Sequence, residues 1–155
     1  MRRRLGNRFK AILREARGNV TVEFGFLIPI LVILAVGTVD FGRLGLQKIA
    51  VTNAARAATQ YGTQDLSTAG DIAGMRQAAY DDYGDDGTLL TVTPRQYCTC
   101  PSSSMEIACN TLCTGGEFPY TYVEVTVSRQ LDFLIPYPGV QSPRQVTSTN
   151  TMRFR

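Results

Sequence analysis

The residues from Phe24 to Val39, FGFLIPILVILAVGTV, form sixteen consecutive positions without a charge, bounded by Glu23 and Asp40. Including Val20 to Val22 gives twenty positions interrupted by a single carboxylate. A helix that crosses a bilayer needs about 20 predominantly apolar residues. A helix of a soluble domain usually keeps a polar stripe, and none exists between residues 24 and 39. The run therefore reads as a membrane-spanning helix with Glu23 inside its N-terminal end. Its flanks orient it. Residues 1–18 hold seven basic side chains and one acid, a net charge of +6, while residues 19–155 hold nine basic and twelve acidic ones, a net charge of −3. Basic flanks stay in the cytoplasm, which places residues beyond about 45 outside it. The same asymmetry argues against a nucleic-acid partner, because the basicity belongs to a short leader and not to a folded face.

Three kinds of segment fit this arrangement. A cleavable signal peptide would use Ala35-Val36-Gly37 as its small-residue site, but the charged leader is long for one and Glu23 opens the apolar stretch. A plain uncleaved anchor gives Glu23 no purpose. A carboxylate at the centre of a membrane helix costs roughly 2.5–3.5 kcal/mol and less near an end, so an acid at membrane depth points to function. The third kind accounts for all of these features. Arg17-Gly18-Asn19-Val20-Thr21-Val22-Glu23-Phe24 closes the basic leader with a glycine, sets a glutamate five residues later and runs directly into the apolar stretch.

That arrangement resembles the processing site of type IV pilin-like prepilins. The longer segment 17–62 resembles the N-terminal part of TadE-like minor pseudopilins of tight-adherence (Tad) pilus systems. The resemblance is carried by Arg17-Gly18, Val22-Glu23-Phe24, Pro29, Asp40-Phe41-Gly42-Arg43 and Asn53-Ala54-Ala55-Arg56-Ala57. The rest of the chain is similar more loosely, through its cysteine cluster, a Tyr-Val-x-Val-x-Val strand and a terminal strand ending in arginine. Phe24 departs from the tyrosine that many pilin-like proteins of this export class carry, keeping the ring and losing the hydroxyl.

The resemblance implies a cut by prepilin peptidase between Gly18 and Asn19 on the cytoplasmic side, leaving 137 residues with the apolar helix retained. A glycine suits the cut, since a backbone without a Cβ can lie extended against a protease. It also implies a single-pass protein of the bacterial inner membrane in contact with lipid, with its N-terminus cytoplasmic and its C-terminal domain periplasmic. Glu23 would pair with the α-amino group of Asn19 on a neighbouring subunit and fix axial register. The role implied is that of a minor subunit that starts or supports assembly of a Tad-type pilus, at its tip or base. Its partners there would be other pilin-like subunits and the Tad assembly machinery. The alternative is an uncleaved single-pass envelope protein whose outer domain binds a partner.

Beyond Asp40, Leu44, Gln47/Lys48, Val51, Ala54/Ala55, Ala58 and Tyr61 recur at spacings of three and four. One long helix over 19–61 is expected, with a membrane half at about 20–40, an amphipathic second half and Gly62 as its stop. Residues 63–70 read as a polar loop and Asp71 to Tyr83 as a second helix. The acids of YDDYGDDG read as a solvated turn, since the spacing of a calcium loop is absent. Alternation of period two then marks strands at Thr88–Thr93, ending at Pro94, at Tyr120–Ser128 and at Gln145–Phe154. Leu131–Pro138 reads as a loop covering a sheet end or as a short edge strand. Three or four antiparallel strands under a long helix make residues 62–155 an α+β domain of pilin-like architecture.

Cys98, Cys100, Cys109 and Cys113 lie together in a Pro/Ser/Gly-rich loop at 98–113. C-x-C with C-x-x-x-C is not the usual pairing of a zinc ribbon, and outside the cytoplasm disulfides are favoured. Two bridges can be nested (Cys98–Cys113, Cys100–Cys109) or crossed (Cys98–Cys109, Cys100–Cys113), and spacing does not choose between them. The chain has no histidine, which removes Ser-His-Asp and Cys-His catalysis and most zinc enzymes. It also lacks a phosphate loop and a dinucleotide fingerprint. No enzymatic activity, metal or cofactor is expected.

Overall fold

A computed structural model of the chain describes residues 20–154. The expected leader, residues 1–18, lies outside the described residues. The chain forms two units, Met1–Phe41 and Gly42–Arg155. Helix α1 (Arg3–Gly62) contributes to both.

The second unit is α+β. Val51, Ala54, Ala55 and Ala58 of α1 are fully buried. Their spacings of three and four put them on one helical stripe. They pack on Val123, Val125 and Val127 of strand β3 (Tyr120–Leu131), which are equally inaccessible. Alternation along β3 sends these valines to one face, and removing each from water contributes about 1.5–3 kcal/mol. Alanines on the facing stripe let the helix backbone approach the sheet closely. Gly62 ends α1 in a confined spot, where a Cβ would lie 2.6 Å from Met75 Sδ and 2.9 Å from Val123 Cγ1.

The stretch read as a polar loop contains one helical turn, α2 (Leu66–Ala69). Asp65 builds it through a capping box, accepting from Ser67 N (2.7 Å) and Thr68 N (2.9 Å) while its own amide donates to Thr68 Oγ1 (3.0 Å). Helix α3 (Ile72–Tyr83) follows, buries Met75 and Ala79, and ends at Gly84 in the left-handed conformation with φ 74°. Its cap, Asp71, accepts from Gly74 N (2.9 Å) and from the Tyr61 hydroxyl (2.9 Å), tying α3 to the last turn of α1. The following acids start the sheet: Asp85 Oδ2 accepts from Leu90 N (2.9 Å) and Asp86 Oδ1 from the Thr88 hydroxyl (2.7 Å).

The sheet holds β1 (Leu90–Cys100), β2 (Ser103–Ile107), β3 and β4 (Arg144–Arg153) in the order β2-β1-β3-β4, with every neighbour antiparallel. Of the stretch Leu131–Pro138, Leu131 ends β3 and residues 132–138 form a loop after it. Two findings differ from the sequence expectation. Strand β1 does not stop at Pro94 but passes through it, pairing Pro94 with Val125. The Phe154 amide donates to Thr121 O (2.8 Å), so odd-numbered residues of β3 bond to β4 and even-numbered ones to β1. Even-numbered residues of β1 then turn their backbone groups away from β3. Proline is tolerated there because its missing N–H falls on an open edge. In addition, β2 forms inside the cysteine loop, where no strand was expected.

A polar seam joins α1 to the far side of the sheet. Lys48 Nζ donates to Thr147 O, Thr52 Oγ1 to Ser148 Oγ (3.1 Å) and Thr59 Oγ1 to Ala55 O (2.7 Å) within its own helix. Gln47 Oε1 accepts from the Tyr83 hydroxyl and from Arg129 Nη1 (3.1 Å), linking α1, α3 and β3.

Gly62→Ala is expected to destabilise the second unit by about 1–3 kcal/mol through overpacking, read as a lowered melting temperature by circular dichroism. Hydrogen bonds from the Gly74 amide and then the Tyr61 hydroxyl hold the Asp71 carboxyl below its ordinary value of 3.8. A depressed carboxylate stabilises above its unfolded value and loses that contribution as pH falls through its folded value. Melting temperature should therefore drop as pH falls below about 4, and Asp71→Asn should flatten that dependence.

Candidate membrane and assembly segment

In the first unit, every residue of α1 from Val20 to Ala35 is exposed. Phe26 is 75% and Leu34 61% accessible. The mean hydropathy over its most apolar window is 2.4, and none of that window is buried. The helix satisfies its own backbone groups, as a lipid environment demands. Apolar side chains that point outward in all directions match a hydrocarbon solvent and not water. The Thr38 hydroxyl donates to Leu34 O (2.8 Å), so this polar group is satisfied inside the helix. Pro29 stands within the helix. The segment is long and apolar enough to span a membrane once.

Glu23 is exposed on the same helix, next to Phe24, and no described residue pairs with it. Gly18 and Asn19, the expected processing site, lie outside the described residues. After Gly42 the helix changes character: Leu44, Val51, Ala54, Ala55 and Ala58 turn to the core while Arg43, Asn53 and Arg56 are exposed. The TadE-like protein family matches residues 18–60, the stretch that holds Glu23, the apolar run and Asn53-Ala54-Ala55-Arg56-Ala57. That segment is TadE-like. No curated protein and no solved structure matches the chain. The family match begins at Gly18 and ends two residues before α1 does.

In the second unit the cysteine loop is stapled. The disulfides are Cys98–Cys109, with Cα atoms 5.1 Å apart, and Cys100–Cys113, at 5.7 Å. This is the crossed arrangement of the two that spacing left open. Both begin on β1, at alternate positions that share a face. Each ties the strand to the segment that follows β2. Cys98 and Cys113 are buried. The Cys113 amide donates to Glu117 O and the Gly116 amide to Cys113 O, each at 2.9 Å, closing a compact turn.

The sheet face opposite α1 holds side chains that the sequence pattern did not single out. Arg95 bridges Glu124 (2.7 Å) and Glu106 (3.0 Å). Its guanidinium lies 4.7 Å from the ring centre of Tyr97, which stacks on Tyr122 at 5.2 Å with planes 10° apart. Arg153 covers Tyr120 at 4.7 Å. Arg95 holds the Glu124 carboxyl below its ordinary range, and Glu124 in turn raises the guanidinium. These are cross-strand neighbours, Arg95 opposite Glu124 and Tyr97 opposite Tyr122, and they lock β2, β1 and β3 together. The Tyr-x-Tyr-x-Glu alternation of β3 was visible in the sequence. Arg95 and Tyr97 fall into phase with it only if β1 continues past Pro94.

Peptide mapping of exported protein should recover Cys98 linked to Cys109 and Cys100 to Cys113. Cys98→Ser with Cys109→Ser should lower stability by about 2–4 kcal/mol, measured by urea denaturation, and leave the Cys100–Cys113 link intact.

Proposed function

We propose that the chain is a minor pilin-like subunit of a Tad-type pilus, a structural part and not an enzyme. It is inserted in the inner membrane by residues 20–40, cut by prepilin peptidase between Gly18 and Asn19, and assembled through Glu23. The observation that carries this reading is the exposed apolar surface of α1, opened by a single carboxylate and lying inside the TadE-like match. A membrane helix of this kind is stable in lipid, yet Glu23 gains a partner only from outside the described chain. The amine exposed at Asn19 of a neighbour is such a partner, and an ion pair in hydrocarbon fixes one register of helix against helix. The basic leader keeps Gly18 on the cytoplasmic side, and the disulfides belong in an oxidising periplasm.

The deciding measurement is the N-terminal residue of protein recovered from membranes, expected to be Asn19. Met1 would instead indicate an uncleaved envelope protein, and Thr38 a signal peptide cut after Gly37. Glu23→Ala is expected to insert and be cut as well as the natural chain, because it removes a charge from the membrane. Its co-isolation with other pilin-like subunits should fall, since a neighbour's amine left unpaired there costs about 3–5 kcal/mol. Glu23→Gln should be intermediate. Unchanged association of the alanine form would remove the ion pair from the proposal.

A further inference from the structure

The two edges of the sheet are treated differently by the fold. On the β1 side, between Leu90 and Gln96, three of the outward backbone groups are covered or missing. Asp85 takes the Leu90 amide (2.9 Å), Arg76 Nε donates to Val92 O (3.3 Å), and Pro94 has no N–H to offer. Strand β2, which forms the rest of that edge, is five residues long, pairs with β1 across a register shift at Thr99/Cys100 of β1 and is flanked by the disulfides. Short strands, prolines and irregular pairing are the devices that stop a sheet edge from recruiting another strand.

Strand β4 has none of them. It is ten residues long, contains no proline and pairs with β3 in one continuous register from Arg144 to Arg153. The Phe154–Thr121 hydrogen bond fixes which residues face which way. Even-numbered residues bond to β3, so Gln145, Thr147, Thr149, Thr151 and Arg153 turn their amides and carbonyls to the open edge. All five are exposed. Lys48 occupies the Thr147 carbonyl; among the described residues nothing takes the backbone groups of Thr149 or Thr151. What satisfies such a row is another extended backbone, and the side chains say which kind. Residues 144–153 carry Arg144 and Arg153 and no acid. A second copy of β4 laid alongside in parallel register would set arginine against arginine.

We infer that the free edge of β4 is a docking site for an extended, acidic segment of a partner protein, which adds a fifth strand beside Thr147–Arg153. The inference rests on the sheet alone and does not depend on how the leader is processed or on Glu23.

The test uses the full chain in detergent micelles and three labelled ten-residue peptides of alternating Thr and Val. One has glutamates near both ends, one has lysines there, and one is the glutamate peptide N-methylated at alternate residues. Fluorescence anisotropy should show the glutamate peptide binding, the lysine peptide at least about tenfold weaker and the methylated peptide not at all. Amide exchange should slow at Thr149 and Thr151 when the glutamate peptide is present. Thr149→Pro removes an outward N–H and no bond to β3, so it should abolish binding while circular dichroism and melting temperature stay close to those of the natural chain. Thr149→Val keeps the N–H and should bind normally. If the proline variant fails to fold, the methylated peptide tests the backbone pairing independently, and its undiminished binding to the natural chain would overturn the assignment. The assignment is also overturned by equal binding of the lysine peptide, by undiminished binding of a folded Thr149→Pro chain, or by no binding of the glutamate peptide. Dimerisation of the natural chain that Thr149→Pro abolishes would overturn it too, making the occupant a second copy.

Discussion

Three alanines and a valine on α1 lie against three valines of β3, and the second unit depends on that contact. The sheet has only one apolar face. Its other face presents Arg95, Tyr97, Tyr122 and Glu124, bound to one another across the strands. A four-stranded sheet of this kind has no core until something covers its valines. The small residues of α1 allow a close approach, and Gly62 lets the helix end where Met75 and Val123 leave no space for a side chain. Met75 and Ala79 of α3 complete the same core.

Helix α1 is one secondary structure suited to two solvents. From Val20 to Ala35 its side chains are almost all apolar and all are exposed; from Leu44 to Ala58 one apolar stripe, Val51, Ala54, Ala55 and Ala58, is buried, while Leu46 and Ile49 stay exposed. What changes between the two stretches is which side chains the sequence supplies at the helical spacing, and so whether lipid or a sheet can cover them. The TadE-like match covers both stretches.

Away from α1 the domain is held by other means. The segment after β2 has few apolar side chains, and two crossed disulfides anchor it to alternate residues of β1. Arg95, caught between Glu106 and Glu124, ties the short strand β2 to the centre of the sheet. The β1 edge is broken by Pro94 and the short strand β2, while β4 keeps a regular edge flanked by arginines, with Lys48 on the Thr147 carbonyl.

Most features that depend on local pattern were present in the sequence. The uncharged run, the basic leader, Glu23, the stripe from Leu44 to Tyr61, the Val-x-Val-x-Val of β3 and the stop at Gly62 can each be seen within a few residues, because helix and strand periods are local properties. The single turn of α2 was hidden, since its capping box joins Asp65 to Thr68 inside a stretch with no apolar repeat. Tertiary structure alone decided the rest. Proline normally ends a strand, and only the pairing of β1 with β3 shows that Pro94 faces an edge where its missing donor costs nothing. The same register brings Arg95 and Tyr97 onto Glu124 and Tyr122, and β2 beside β1 sets which cysteines meet. These outcomes depend on partners that are distant in the chain, and their spacing along it carries no record of which residues will stand opposite one another.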